Sequence, residues 1–236
     1  VSARIAVFAS GGGTNLQSLL DYFGGAGREV AQVALVVSDR EGAGALERAR
    51  RAGVEGRVIP VRGRAVDEVA EETLGVLREG GVDVVVLAGY LRLVPPEVVR
   101  AFRGRMVNIH PALLPAFGGA GMYGINIHRA VLEAGCTVTG ATVHYVDERY
   151  DTGPILLQWP VPVLADDTPE TLAARVLAVE HRILPLAVEA VVQGVGRRGG
   201  GVGEPVAFGL VGEAAPAEGE VRGVLGFRAG KDNGRY

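Results

Sequence analysis

Apolar residues in the first hundred or so positions fall into short runs separated by segments of helical spacing. Positions 4–9, 32–38, 57–61, 83–88 and 105–109 are short stretches rich in Val, Ile, Leu and Ala, which predicts mostly buried strands. Between them, 15–22, 43–52, 65–79 and 95–102 repeat apolar residues three and four apart, which predicts helices. Strand and helix in alternation imply parallel strands with helices on both faces. After Pro111 the rhythm changes. A loop and a helix at 127–133 lead to two longer strands at 137–146 and 154–163, then a long helix at 169–192. Thr168 suits its N-cap, Pro169 sits where a missing amide costs nothing, and Pro185 is expected to kink it. The expected fold class is α/β: an open, mostly parallel Rossmann-like sheet with a mixed C-terminal half.

Composition narrows the function. Hydrophobic residues make up 48% and charged residues 22%, enough for a sizeable core and against disorder throughout. A length of 236 residues suggests one or two domains. A net charge of −3 leaves no basic footprint, so no nucleic acid is expected as a partner. Apolar runs such as 84–88 fall far short of the roughly 18 residues a membrane span needs, and no membrane partner is expected. The first residues lack a signal-peptide pattern, so the expected location is cytoplasmic. Cys136 stands alone, which excludes an internal disulfide and a thiolate metal cluster. From Gly194 to Tyr236 glycine crowds the sequence with neither periodicity, which reads as a tail with a short strand near 205–210.

Three motifs could carry chemistry. Ser10-Gly11-Gly12-Gly13-Thr14-Asn15 follows the first strand and opens the first helix. Glycines let backbone amides approach a ligand, and a helix N-terminus favours an anion, so a phosphate is the natural guest. Leu16 replaces the third glycine of a dinucleotide fingerprint, and no Gly-Lys-Ser/Thr follows for a P-loop. A tight turn without a ligand is the plainer reading. In Met106-Val107-Asn108-Ile109-His110-Pro111, Asn108 and His110 share one face of a strand that Pro111 ends, at the rim where such sheets bind ligands. A carboxamide donates without ionising and an imidazole titrates near neutrality, so the pair suits an oxyanion in acyl transfer. For an isolated Asn-x-His, a hydrogen-bonded pair without chemistry is the simpler alternative. Asp151-Thr152-Gly153-Pro154 is a turn signal that also offers a carboxylate able to orient a histidine and keep it charged. No spacing rule links it to His110. His144 is balanced between a partner of this site and a structural hydrogen bonder, while His128 and His181 read as structural or surface residues.

Taken together, Ser10 to Asn15, Asn108-Ile109-His110-Pro111-Ala112-Leu113-Leu114-Pro115, and Thr142-Val143-His144-Tyr145-Val146 followed by Asp151-Thr152-Gly153-Pro154 resemble the folate-dependent phosphoribosylglycinamide formyltransferase family. The resemblance covers 4–194, with the motifs in order. It implies transfer of a formyl group from 10-formyltetrahydrofolate, as co-substrate, to the amine of glycinamide ribonucleotide in de novo purine (IMP) biosynthesis. It places Asn108, His110 and Asp151 at catalytic positions and Gly12, Gly13, Thr14 and Asn15 on the substrate phosphate, with Glu180 on the ribose. It places Leu91, Arg92, Leu93, Val94, Asn108, Asp147 and Asp151 around the folate, with Arg64 as a looser match. It implies a phosphoribosyl-binding half at 1–105, a catalytic and folate-binding half at 106–194, and a tail at 195–236. No metal is required, and a homodimer is compatible with it.

Two departures stand out. The segment Phe117-Gly118-Gly119-Ala120-Gly121-Met122-Tyr123-Gly124 looks longer than the family's short loop, and Leu177 stands where some members have a lysine near the phosphate. The mechanism expected from the resemblance has Asn108 and a protonated His110 stabilising an alkoxide, with Asp151 keeping His110 charged. A formyltetrahydrofolate hydrolase would share the trio, but is expected to carry a regulatory domain ahead of a strand beginning at Arg4. A methionyl-tRNA formyltransferase would show His-Ala-Ser where this chain has His110-Pro111-Ala112, and a basic C-terminal domain for RNA. A nicotinamide dehydrogenase would need the third glycine. A phosphoribosyl-binding module would have no need of Asn108, His110 and Asp151 together.

Overall fold

The computed structural model describes residues 2–198. Its strands are β1 (Ala3–Phe8), β2 (Ala31–Ser38), β3 (Glu55–Val58), β4 (Val84–Leu87), β5 (Met106–His110), β6 (Val138–Tyr145) and β7 (Ile155–Pro162). Its helices are α1 (Thr14–Gly24), α2 (Gly44–Arg51), α3 (Val66–Glu79), α4 (Pro96–Ala101), α5 (Ile125–Glu133) and α6 (Pro169–Arg198). All seven strands form one sheet in the order β3-β2-β1-β4-β5-β6-β7. β1 to β5 pair in parallel, whereas β6 and β7 run antiparallel to their neighbours, so the expected mixed half begins where β5 meets β6.

Side chains two apart share a face, and β1 shows the result. Ile5 and Val7 pack into a core with Leu16 of α1, Ile127 of α5 and Leu184 of α6. Ala6 and Phe8 pack on the other face with Val69 and Leu77 of α3 and Val98 of α4. Buried on both faces, the central strands read as unbroken apolar runs, which is why they were visible in the sequence.

The third strand lies at Glu55–Val58 rather than 57–61. It is an edge strand with largely exposed side chains, so burial leaves little pattern to follow. Pairing ends where Ile59 N–H donates to Ser38 O at 2.8 Å, because Pro60 has no amide to continue the ladder. The last helix runs on to Arg198, and Pro185 lies inside it without ending it. The boundary between the two expected halves, after position 105, falls between β4 and β5, which are hydrogen-bonded neighbours. The expected strand near 205–210, with the tail from 199 onward, lies outside the described residues.

The turn between β6 and β7 carries Asp151 and is closed by Tyr145 N–H donating to Pro154 O at 2.8 Å. A Cβ on Gly153 would stand 1.8 Å from Tyr145 O, so no side chain fits there. Gly153→Ala is therefore expected to cost about 3 kcal/mol of stability, read as a lowered midpoint in urea. An unchanged midpoint would show that the turn can open without loss.

Candidate active site

The first connection after β1 bends into α1 through Gly13, which has φ 74°, and a Cβ there would lie 2.7 Å from Ala45 Cα. Only glycine satisfies both the left-handed backbone and the close approach. Beside this loop, at the C-terminal rim of the sheet, a cavity of about 500 Å³ opens. Its walls come from the 89–94 segment after β4, the end of β5, the 119–125 loop and the 146–151 turn, with Asn15, Leu177 and Glu180 also lining it.

β5 ends in this cavity, and its antiparallel register with β6 sets Asn108 opposite His144. His144 Nδ1 lies 2.9 Å from Tyr145 O. A carbonyl can only accept, so Nδ1 carries the proton, and the approach of the Asn108 amide leaves Nε2 to accept. Asn108 Nδ2 donates to Nε2 at 3.0 Å, which fixes the carboxamide with its N–H side toward Asp151. The contact from Asn108 Nδ2 to Asp151 Oδ1 is long, at 3.4 Å. His110 Nε2 donates to Phe117 O at 2.8 Å, and its Nδ1 faces Asp151 Oδ2 at 3.6 Å. Asp151 has φ 56°, and its Oδ2 accepts from Gly119 N–H at 2.9 Å. The loop from Phe117 to Gly119 thus uses two main-chain groups to orient the imidazole and the carboxylate.

Burial alone would raise the Asp151 carboxyl, but hydrogen bonding, in which Gly119 N–H donates to Oδ2, holds it below the ordinary range. Burial pushes the His110 imidazole below its ordinary value, against the opposing pull of Asp151 and Phe117 O, which favours the neutral ring at rest. With Nε2–H committed to Phe117, the lone pair of that neutral ring is at Nδ1, on the side of Asp151.

At another part of the cavity wall, Asn15 Nδ2 donates to Glu180 Oε2 at 2.7 Å, while Asn15 Oδ1 is buried without a partner among the described residues. Burial raises the Glu180 carboxyl, and the Asn15 amide only partly opposes it. A carboxyl raised in the folded state loses stability as pH climbs past its unfolded value of 4.5. Glu180→Gln is thus expected to gain about 1 kcal/mol at pH 7, seen as a higher melting temperature, with the gap closing toward pH 4.5. A variant no more stable at pH 7 would show that Glu180 is held without cost.

Leu91, Arg92, Leu93, Val94 and Asp147 line the cavity as well, and Asp147 accepts from the Thr152 hydroxyl at 2.7 Å. Gly12, Gly13 and Thr14 adjoin it at the start of α1 without lining it. Arg64 is not brought to the cavity: its guanidinium pairs with Glu72 at 2.5 Å and bonds Pro60 O. Arg48, not singled out in the sequence, donates from Nε to Gly12 O at 2.8 Å and sets a cation beside the glycine loop. His128, expected as a structural or surface residue, is buried and lines the cavity, and its Nδ1 has no hydrogen-bond partner among the described residues. Its place in the first turns of α5 gives no sequence signal beyond an apolar neighbourhood. Among the described residues no group of three or more His, Cys, Asp or Glu is placed to hold a metal ion, and no helix is long and apolar enough to cross a membrane.

A family described as formyl transferase matches residues 3–188. The chain is 47% identical over 192 residues to a chloroplastic phosphoribosylglycinamide formyltransferase of Arabidopsis thaliana, a match covering 80% of this chain. It spans 65% of that relative's length. Among solved structures it is similar to glycinamide ribonucleotide transformylase 1 from Symbiobacterium toebii, with a TM-score of 0.76 and 46% identity over 82% of this chain and 89% of that one. It is also similar to a formyltetrahydrofolate deformylase from Pseudomonas syringae pv. tomato, with a TM-score of 0.72 and 27% identity over 82% of this chain and 62% of that one.

Proposed function

The chain belongs to the formyl transferase family, and from that premise we propose that it transfers the formyl group of 10-formyltetrahydrofolate to the amine of glycinamide ribonucleotide, in purine biosynthesis. The observation that carries the reading is Asp151, which faces Asn108 Nδ2 at 3.4 Å and His110 Nδ1 at 3.6 Å inside a cavity also lined by Asn15 and Glu180. The residues fit a folate donor: Leu91, Leu93, Val94 and Val146 offer apolar wall, with Arg92 and Asp147 as polar groups beside it. When bound, the donor supplies the formyl carbon as an electrophile.

The rest is done by side chains of this chain. Asn108 aims an N–H at the carbonyl oxygen as negative charge grows there, in place of its long contact with Asp151. His110 Nδ1, carrying a lone pair at rest, takes the proton that the attacking amine loses. Asp151 then faces an imidazolium and stabilises it, and the same proton passes on to the departing folate nitrogen. The first-turn amides of α1, with Arg48 alongside, hold the phosphate, and Glu180 and Asn15 hold the ribose. In this reading 1–105 serves mainly the ribonucleotide and 106–194 the folate and the chemistry, and the location is cytoplasmic.

Mass spectrometry of the products tests it. With both substrates present, formylated ribonucleotide is expected in step with tetrahydrofolate. Free formate beside unchanged ribonucleotide would make water the acceptor, as in a formyltetrahydrofolate hydrolase.

A further inference from the structure

Asp39 follows the last residue of β2, at the rim of the sheet, and none of the chemistry above uses it. Its side chain is only 1% exposed. A carboxylate removed from water persists when it is paired and fully hydrogen-bonded, and this one is. Arg92 Nε donates to Oδ2 at 2.8 Å, and Arg40 donates to Oδ1 and Oδ2 at 3.2 and 3.1 Å. Burial opposes its ionisation, yet hydrogen bonding from Arg40, Ser10 and Arg92 holds the carboxyl below the ordinary range.

One of those partners, Arg92, reaches the cavity. Ser10 roots the glycine loop, and it is stitched to the 89–94 wall twice: its N–H donates to Gly89 O at 3.0 Å, and its Oγ accepts from Leu91 N–H at 3.0 Å. Arg92 lines the cavity with its side chain 38% exposed, spending Nε on Asp39 and presenting the rest of its planar fork at the surface. One buried carboxylate therefore holds the guanidinium that faces the cavity.

We infer that Asp39 is a positioning residue for the formyl donor: it presets Arg92 on the cavity rim, so that a carboxylate-bearing folate meets an oriented cation instead of a mobile one. The inference rests on the functional reading above for the identity of the donor. Pre-orientation lowers the ordering cost on binding, so its loss appears in affinity and not in the chemical step.

The test uses the full chain and the substitutions Asp39→Asn, Arg92→Ala and their combination. Asp39→Asn keeps the size and an acceptor but removes the charge. It is expected to raise the KM for 10-formyltetrahydrofolate about tenfold, with kcat and the ribonucleotide KM within about threefold. Isothermal titration with tetrahydrofolate should show the same loss. Because Asp39 acts through Arg92, the double variant should be no weaker than Arg92→Ala alone. Additive losses, an unchanged folate KM, or a fall in kcat that tracks a lowered melting temperature would each overturn the positioning role. The titration reads binding without turnover. Failure of the unaltered chain to transfer formyl overturns the functional reading alone, whereas undiminished tetrahydrofolate affinity in Asp39→Asn overturns this inference alone.

Discussion

Asp151→Asn is expected to lower kcat by about 10³-fold while leaving both KM values within about threefold. The variant can keep the local structure, since an amide oxygen still accepts from Gly119 N–H as the carboxylate Oδ2 does at 2.9 Å. What disappears is the negative charge 3.6 Å from His110 Nδ1. That charge matters little while the imidazole is neutral and a great deal once the ring has taken a proton, so the loss falls on the transition state. The pH profile supplies an independent sign. Burial already lowers the His110 value and Asp151 pulls it back up. Without Asp151 it should drop further, moving the acidic limb of kcat/KM to lower pH even as the plateau falls. Steady-state rates between pH 5 and 8 read both effects, and a limb that stays in place on an undiminished plateau would remove Asp151 from proton transfer.

Asn108→Ala should cost about 10²- to 10³-fold in kcat, the usual effect of deleting one oxyanion donor. The carboxamide is preset: one N–H is spent on His144 Nε2 at 3.0 Å, and the other makes only the 3.4 Å contact with Asp151. A long, weak contact is readily exchanged for a short one to a growing charge. Asn108→Asp should be at least as damaging, because it removes the donor and sets a second carboxylate beside Asp151. Two such groups cannot both ionise at ordinary cost, so one would bind a proton near neutrality. Single-turnover measurement at saturating substrates separates these outcomes from weakened binding. A loss below tenfold in Asn108→Ala would mean that the charge develops elsewhere.

The physical reasons for what could and could not be read from the sequence differ from residue to residue. β1 and β4 were legible because strands buried on both faces must be apolar throughout, whereas the exposed edge strand β3 was placed late because nothing there selects a pattern. Asn108 and His110 were legible as a pair because a strand repeats every two residues. Their approach to Asp151 was not, because it depends on the antiparallel register that sets Asn108 against His144 and on a turn with a left-handed residue at Asp151. The competing pulls on His110 were only half legible, since a neighbouring carboxylate is visible in a sequence and burial is not. Asp39 escaped notice because its partners Ser10 and Arg92 come from two other connections, one after β1 and one after β4. Arg64 matched by position and yet turns to Glu72, a choice that neighbouring charges on α3 dictate.

The contacts that steady His110 and Asp151 come from the carbonyl of Phe117 and the amide of Gly119, atoms that every residue type except proline carries alike. Away from its glycines, the segment is therefore answerable for its length and path more than for its spelling; Gly118 has no room for a Cβ beside Leu114, and Gly119 has φ 100°. Exchanging Ala120 or Met122 leaves the grip intact, whereas adding a single residue between Pro115 and Gly119 slides both grips out of register at once. In descendants of this gene Ala120 and Met122 should drift freely in letters, while Gly118, Gly119 and the spacing around them hardly change.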